Sequence, residues 1–181
     1  MIVDITMFNT YSGNHEDAEE AILLKETFLA SAQEVVTTYL GFSPELRHYE
    51  DVSLSGSGSA KLYVGCRNIS SIASITVSGI SYSPALFIAC DDHIRFKGPG
   101  LTFSKGQDNI LLSFTAGWEN KEMPAVIILS ILRIATLMQS ETDGNIGLTG
   151  KSFADNSRTF INYSNYRKYL QPLDGLRIVR F

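Results

Sequence analysis

The stretch FTAGWENKEMPAVI, residues 114–127, decides the fold class. An apolar, strand-like run ends in Ala116-Gly117-Trp118, a short polar bridge follows, and after Met123-Pro124 the chain turns apolar again. Gly117 supplies a backbone conformation that other residues disfavour. Trp118 can cover the junction between a sheet and a helix, and Asn120 can cap. Pro124 fits a helix only in its first turn, where the missing N–H has no helical partner to lose. The pattern predicts a strand before the corner and a helix after it, starting between Asn120 and Pro124 and covering about 121–139. Val126, Ile127, Leu129, Ile131, Leu132, Ile134, Leu137 and Met138 spread around nearly all of that helix, which predicts burial on most sides. Ser130 and Arg133 interrupt the apolar run, and it falls short of the ~20 residues that span a bilayer.

Toward the N-terminus, residues 1–13 read as extended or irregular. Ser12-Gly13-Asn14 reads as a helix start, with Ser12 or Asn14 as cap. Glu16, Asp17, Glu19 and Glu20 suit the positive end of a helix dipole. Apolar residues from Ala18 to Tyr39 recur at helical spacing, and Gly41 is a natural stop, so residues 15–40 are predicted as one amphipathic helix. Residues 53–59, Ser-Leu-Ser-Gly-Ser-Gly-Ser, read as a flexible loop. Strands are predicted over 61–66, 69–77, 80–90, 93–96 and 109–116, with Pro84 placing its strand at an edge or on a bulge. Residues 140–160 read as a polar loop, and residues 176–181 alternate as a strand does. The expected fold is α+β in a single domain, 1–181. It has two packed helices, the N-terminal one amphipathic and the C-terminal one apolar. An antiparallel β insertion over about 60–116 lies between them, and a C-terminal arm over about 152–181 protrudes.

Composition supports a packed core: 181 residues, 44% hydrophobic and 19% charged. The net charge of -4 argues against a dedicated nucleic-acid binder, whose mark is a basic face. Cys66 and Cys90 sit in apolar, strand-like surroundings and read as buried free thiols, too few for a disulfide scaffold. Met1-Ile2-Val3-Asp4 lacks the basic and apolar regions of a signal peptide, so a cytosolic protein is expected.

The chemistry-bearing motifs are weak. Gly150-Lys151-Ser152 matches the end of a phosphate-binding loop, but Asn145 stands where the first glycine belongs, and no strand is expected before it or helix after it. Asp91-Asp92-His93 lacks a partner pair at ligand spacing. The other histidines, His15 and His48, stand alone. No G-x-S-x-G elbow occurs. The carboxylate pairs at Glu16-Asp17 and Glu19-Glu20 belong to the helix start. Neither a catalytic nor a cofactor or metal site is expected, and an enzyme is the least favoured class. The C-terminal tail differs. Tyr163, Tyr166, Arg167, Tyr169, Arg177, Arg180 and Phe181 are residue types enriched at interface centres. Such a tail either adds to another chain's sheet edge or folds back on its own domain.

The order of features resembles the head–tail connector (adaptor) family of long-tailed bacteriophages and prophages. The resemblance rests on EDAEEAILLKETFLASAQEVVTTYLGF, then LSGSGSAKLYV and NISSIASITVSG, then ILLSFTAGWENKEMPAVIILSILRIATLM, IGLTGKSFADNS and NYRKYLQPL. The order of these elements carries it, and no single motif is specific. Many members are shorter and mostly helical, and residues 60–116 depart from them. The resemblance implies a structural virion protein of the neck, assembled in the host cytoplasm. It implies a homo-oligomeric ring, commonly of twelve copies, under the portal. That ring extends the DNA channel, lets DNA pass without specific binding, touches no membrane and docks the next neck or tail protein. Tyr163, Tyr166, Arg167, Tyr169, Arg177, Arg180 and Phe181 would then meet the portal or a neighbouring subunit, and Gly117, Trp118 and Pro124 would form a structural corner. A tail terminator or completion protein, and a ligand-binding β domain with Trp118 as its test residue, are the alternatives.

Overall fold

A computed structural model describes residues 1–16, 18–142, 150–153, 156–159 and 166–178. The chain divides into two compact units. The first joins Met1–Leu40 to Pro124–Arg177, and the second is Gly41–Met123 with Ile178. The architecture is α+β.

The first unit opens with helix α1 (Ile5–Ser12). The Asp4 carboxylate accepts the Met7 N–H at 2.8 Å, and Gly13, with φ of 70°, ends the helix by donating its N–H to the Asn9 carbonyl. Ser12-Gly13 therefore closes one helix instead of opening the next, and within 1–13 residues 5–12 are helical where extended or irregular chain is expected. Helix α2 (Glu19–Leu40) begins four residues later than expected. Its buried stripe is Lys25, Leu29, Ala32, Val36 and Leu40, one helical face at steps of three and four. Lys25 is the exception in kind. Its side chain is 2% exposed. The ammonium donates to Asn9 Oδ1 at 3.0 Å, to the Asn14 carbonyl at 3.1 Å and to the Glu16 carbonyl at 2.9 Å. It thereby ties α1 and the connecting turn to α2.

Further along the chain is the second unit. Strands β1 (Arg47–Gly56), β3 (Ile69–Val77), β4 (Ile80–Tyr82) and β7 (Gly106–Ala116) form an antiparallel sheet in the order β1-β7-β3-β4. Strands β2 (Lys61–Tyr63), β5 (Phe87–Ala89) and β6 (His93–Phe96) form a second sheet, ordered β2-β6-β5. One core joins both sheets: Ile75, Ile110, Leu112 and Phe114 from the first, Phe87 and Ile94 from the second. Phe87, Phe96 and Phe103 meet with ring centroids 4.6–6.0 Å apart, tilted and offset as aromatic quadrupoles favour. Ser78 and Gly79 both have positive φ, 49° and 79°, the turn whose twist matches a two-residue hairpin between β3 and β4.

Three expectations for this unit are corrected. Strand β1 runs through part of the serine-glycine stretch to Gly56, because β7 offers it a full antiparallel partner. A bulge at Asp51 (φ 46°) is held by the Ser113 hydroxyl, which accepts the Asp51 N–H at 3.1 Å. Residues 80–90 are two short strands separated by a 3₁₀ turn at Pro84–Leu86, since proline cannot donate to a ladder. Neither cysteine forms a disulfide, but Cys66 alone is buried and Cys90 is half-buried.

Helix α3 (Ala125–Thr142) returns the chain to the first unit and packs along α2. It starts after Pro124 and not at Asn120, because residues 119–122 form a turn closed by the Glu122 N–H on the Glu119 carbonyl. Ile127, Ile131, Ile134 and Ala135 are fully buried, whereas Leu129 and Arg133 lie on the exposed stripe. A hairpin of β8 (Gly150–Phe153) and β9 (Asn156–Thr159) stands where a loop is expected. Gly150-Lys151-Ser152 lies in that hairpin, which is no phosphate loop. Helix α4 (Tyr166–Leu170) and a 3₁₀ turn (Gln171–Leu173) then lie against α3 with Leu170 and Leu173 buried. This described part of the expected arm folds back on its own unit. The rest of the arm falls largely outside the described residues. No helix among those residues is long and apolar enough to cross a membrane.

Replacing Lys25 with Met leaves two backbone carbonyls and the Asn9 amide oxygen without their shared donor. A stability loss of about 2–3 kcal/mol is expected in urea unfolding followed by circular dichroism. A loss near zero would show that water replaces the ammonium. Tyr49 stacks on Phe114 at 4.9 Å, and burial, followed by its hydrogen bond with Cys66, pushes its phenol up to about 12. The folded state thus holds this proton more tightly than the unfolded one. The associated stability is intact below the ordinary value of 10.0 and is lost as pH rises from there to about 12. Phenolate absorbance against pH should show a component titrating near 12 that Tyr49→Phe removes.

Candidate partner interface

Sequence reasoning singles out seven residues of the C-terminal tail. Tyr163, Arg180 and Phe181 lie outside the described residues. Of the other four, Tyr166, Arg167 and Tyr169 are carried by α4, and Arg177 follows the 3₁₀ turn after it. Buried Leu170 and Leu173 anchor this segment on α3, and the Ser130 hydroxyl donates to the Tyr169 carbonyl at 2.8 Å. Ser130, 3% exposed, thereby finds a partner in a face that is otherwise apolar. Lys168 Nζ lies 5.7 Å from the Tyr169 ring and the Arg133 guanidinium 6.0 Å from it, so two cations flank one aromatic.

Arg167 and Arg177 belong to a cleft of about 570 Å³ that Tyr39, Lys168, Gln171 and Asp174 complete. The Arg177 guanidinium sits 5.0 Å from the Tyr39 ring centroid. The Tyr39 hydroxyl donates to Asp174. That hydrogen bond, followed by burial, raises the Tyr39 phenol above its ordinary value. Three cations face one carboxylate, and that carboxylate is already engaged. Arg167 and Lys168 are exposed and have no carboxylate partner among the described residues. The lining carries more positive than negative charge. Tyr39 reads as part of a helix's apolar face, and 135 residues separate it from Asp174. No local spacing links the two.

The corner residues are placed by backbone bonds. The Gly117 N–H reaches the carbonyls of Arg67 (3.0 Å) and Asn68 (3.2 Å), and Asn68 Nδ2 donates to the Gly117 carbonyl at 2.7 Å. Trp118 forms a parallel bridge with Glu45, through its N–H to the Pro44 carbonyl and the Leu46 N–H to its own carbonyl. The indole is half-buried and meets Phe42 at 6.1 Å. Gly117 has φ of 101°, and a Cβ there would stand 2.3 Å from the Glu45 carbonyl oxygen. Pro124 immediately precedes α3 and accepts the Ile127 N–H at 2.9 Å. Asp91, Asp92 and His93 diverge. Asp91 binds Arg67 at 2.6 Å, while His93 Nδ1 pairs with Asp92 at 2.7 Å and holds that carboxyl below its usual range. The described residues contain no metal-binding group of three or more His, Cys, Asp or Glu.

Gly117→Ala should cost about 2–4 kcal/mol, from the combined clash and positive φ, without altering the unfolded state beyond the few tenths that alanine contributes. Thermal unfolding of the variant checks this, and an unchanged midpoint would mean that the segment at Glu45 yields freely.

No protein-family model matches this chain, and neither does any curated protein. Solved structures do. A chain from the neck of an empty gene transfer agent (GTA) particle, computed with C6 symmetry, superimposes with a TM-score of 0.62 at 11% identity, covering 99% of this chain and 91% of that one. A chain of the virion of a native GTA particle gives the same values. A chain from the neck of a native GTA particle, computed with C12 symmetry, gives 0.57 at 11% identity over 96% and 89%. At this identity the likeness concerns the fold: this chain has the fold of a chain found in gene transfer agent necks.

Proposed function

We propose that this chain is a structural neck protein of a phage-like particle. In this reading it is a head–tail adaptor that forms a ring under the portal, continues the DNA channel and docks the next neck or tail protein. The observation that carries the reading is the extent of the likeness: 99% of this chain aligns with 91% of a GTA neck chain, so the β unit is part of the shared fold and not an unrelated insertion. The neck chains belong to particles computed with C6 and C12 symmetry, and a ring of twelve copies is the corresponding proposal here. The surface supports an assembling protein. Leu23 is 66% exposed and Leu24 46%, side by side on α2, and a charged cleft lies ready on α4. The virion neck is the proposed location, with assembly in the host cytoplasm. The mildly acidic chain suits a channel along which DNA slides, since phosphate contacts would hold DNA back.

The test is affinity purification of the tagged chain from cells making the particle, with partners identified by mass spectrometry. Portal and neck proteins in stoichiometric amounts are expected. Tail proteins without portal would replace the adaptor with a tail terminator, and recovery of the chain alone would remove the neck reading. The tail's role in portal docking is tested by deleting residues 179–181. A cut at 170 removes buried Leu170 and Leu173 and confounds folding with binding. The short deletion should keep the fold and weaken portal recovery; undiminished recovery would remove these residues from the contact.

A further inference from the structure

A closed ring needs two different surfaces on each copy, one complementary to the other. On the neck reading, which this inference deepens, α2 and α4 supply such a pair. The basic cleft lies beside Tyr39, in the last turn of α2. The first two turns of α2 carry the opposite chemistry. Glu19 and Glu20 are exposed and have no ion-pair partner among the described residues. Leu23 and Leu24 follow them at helical spacing, 66% and 46% exposed. Two exposed leucines rimmed by carboxylates have the pattern of a contact: an apolar centre with a charged edge. The cleft offers the matching pattern, the Tyr39 ring surrounded by Arg167, Lys168 and Arg177.

The two patches cannot meet within one chain. A helix of 22 residues is about 33 Å long, and they sit at its two ends. We infer that the start of α2 in one copy, Glu19, Glu20, Leu23 and Leu24, seats against the cleft of Tyr39, Arg167, Lys168 and Arg177 in the next copy. The contact is head-to-tail, and it sets α2 along the direction in which copies follow one another. A second copy is favoured over DNA as occupant for two reasons. Asp174 stands inside the cleft and opposes phosphate. The exposed leucines beside the acidic patch would stay uncovered if DNA took the cleft.

Two full-length variants test this: one with Arg167→Glu and Lys168→Glu, the other with Glu19→Lys and Glu20→Lys. All four side chains are exposed, and circular dichroism checks that both variants fold. Sedimentation at about 50 mM and about 500 mM salt reads association. Wild-type chains should associate at low salt and separate at high salt. Each variant alone should associate at least about ten-fold more weakly, since like charges then face each other across the contact. An equimolar mixture of the two should regain association, because each then presents the charge the other lacks. Wild-type chains that stay monomeric at low salt overturn the inference, as do variants that associate normally and a mixture that fails to recover. So does a cleft variant whose sole defect is lost retention of duplex DNA. Failure here while the tagged chain still recovers portal and neck proteins removes this contact and leaves the neck reading standing. Loss of that recovery removes the reading itself.

Discussion

The β unit depends on the close approach of backbone at Gly117. Three segments converge there: the end of β7, the turn at Arg67-Asn68 and the segment around Glu45. Their mutual hydrogen bonds leave no room for a Cβ. The registers on both sides of β7 start from the adjacent residue, Ala116, which pairs with Arg47 of β1 and with Ile69 of β3. Side chains along a strand alternate faces, so a slip of one residue at this corner would turn Ile110, Leu112 and Phe114 away from the core. The bulge at Asp51 absorbs the first of two register shifts in the β1 pairing, and the Ser113 hydroxyl satisfies the N–H it would otherwise leave unpaired; the second lies between Leu54 and Gly56.

The helical unit solves a different problem. Helix α3 is apolar on most of its circumference and needs cover on several sides. Helix α2 supplies one side, α4 with its 3₁₀ turn another, and α1 also touches it. The polar groups caught in this packing are each met: Ser130 by the Tyr169 carbonyl, Lys25 by three oxygens. These two contacts join segments distant in sequence to the helix pair, and so they define the unit as much as the apolar stripe does.

The residues that could have carried chemistry are used for structure. Asp91 secures Arg67 and the Asn68 N–H, Asp92 holds His93, and the glycine-lysine-serine motif lies in a hairpin. What remains open for partners is surface. Exposed leucines lie at one end of α2 and a cationic cleft lies at the other.

Element type followed from local pattern. The period-two runs at 69–77 and 93–96 match β3 and β6, the apolar run after Pro124 is a helix, and the α+β class follows from their order. Sequence also held a helix end at Gly13 and a cap at Asp4. They are hard to read because an eight-residue helix carries few periodic positions, and its lone fully buried residue, Phe8, makes no stripe. Strand β1 (Arg47–Gly56) was not legible, and no strand is expected from the sequence before residue 61. Its Ser-Gly stretch has the composition of a loop, and only the ladder offered by β7 makes it a strand. The cleft was legible in its arginines but not in its geometry. Tyr39 and Asp174 come together because α2 and the C-terminal turn both pack in the helical unit, through contacts that no sequence spacing encodes. The sequence by itself determined that the segments of α2, α3, β3 and β6 are helix or strand and which of the helices' faces are apolar, since those depend on neighbours three, four or two residues away. The tertiary structure alone decided that Lys25 is a buried fastener, that part of the C-terminal tail folds back and that a cationic cleft exists, because each depends on groups brought together only by packing.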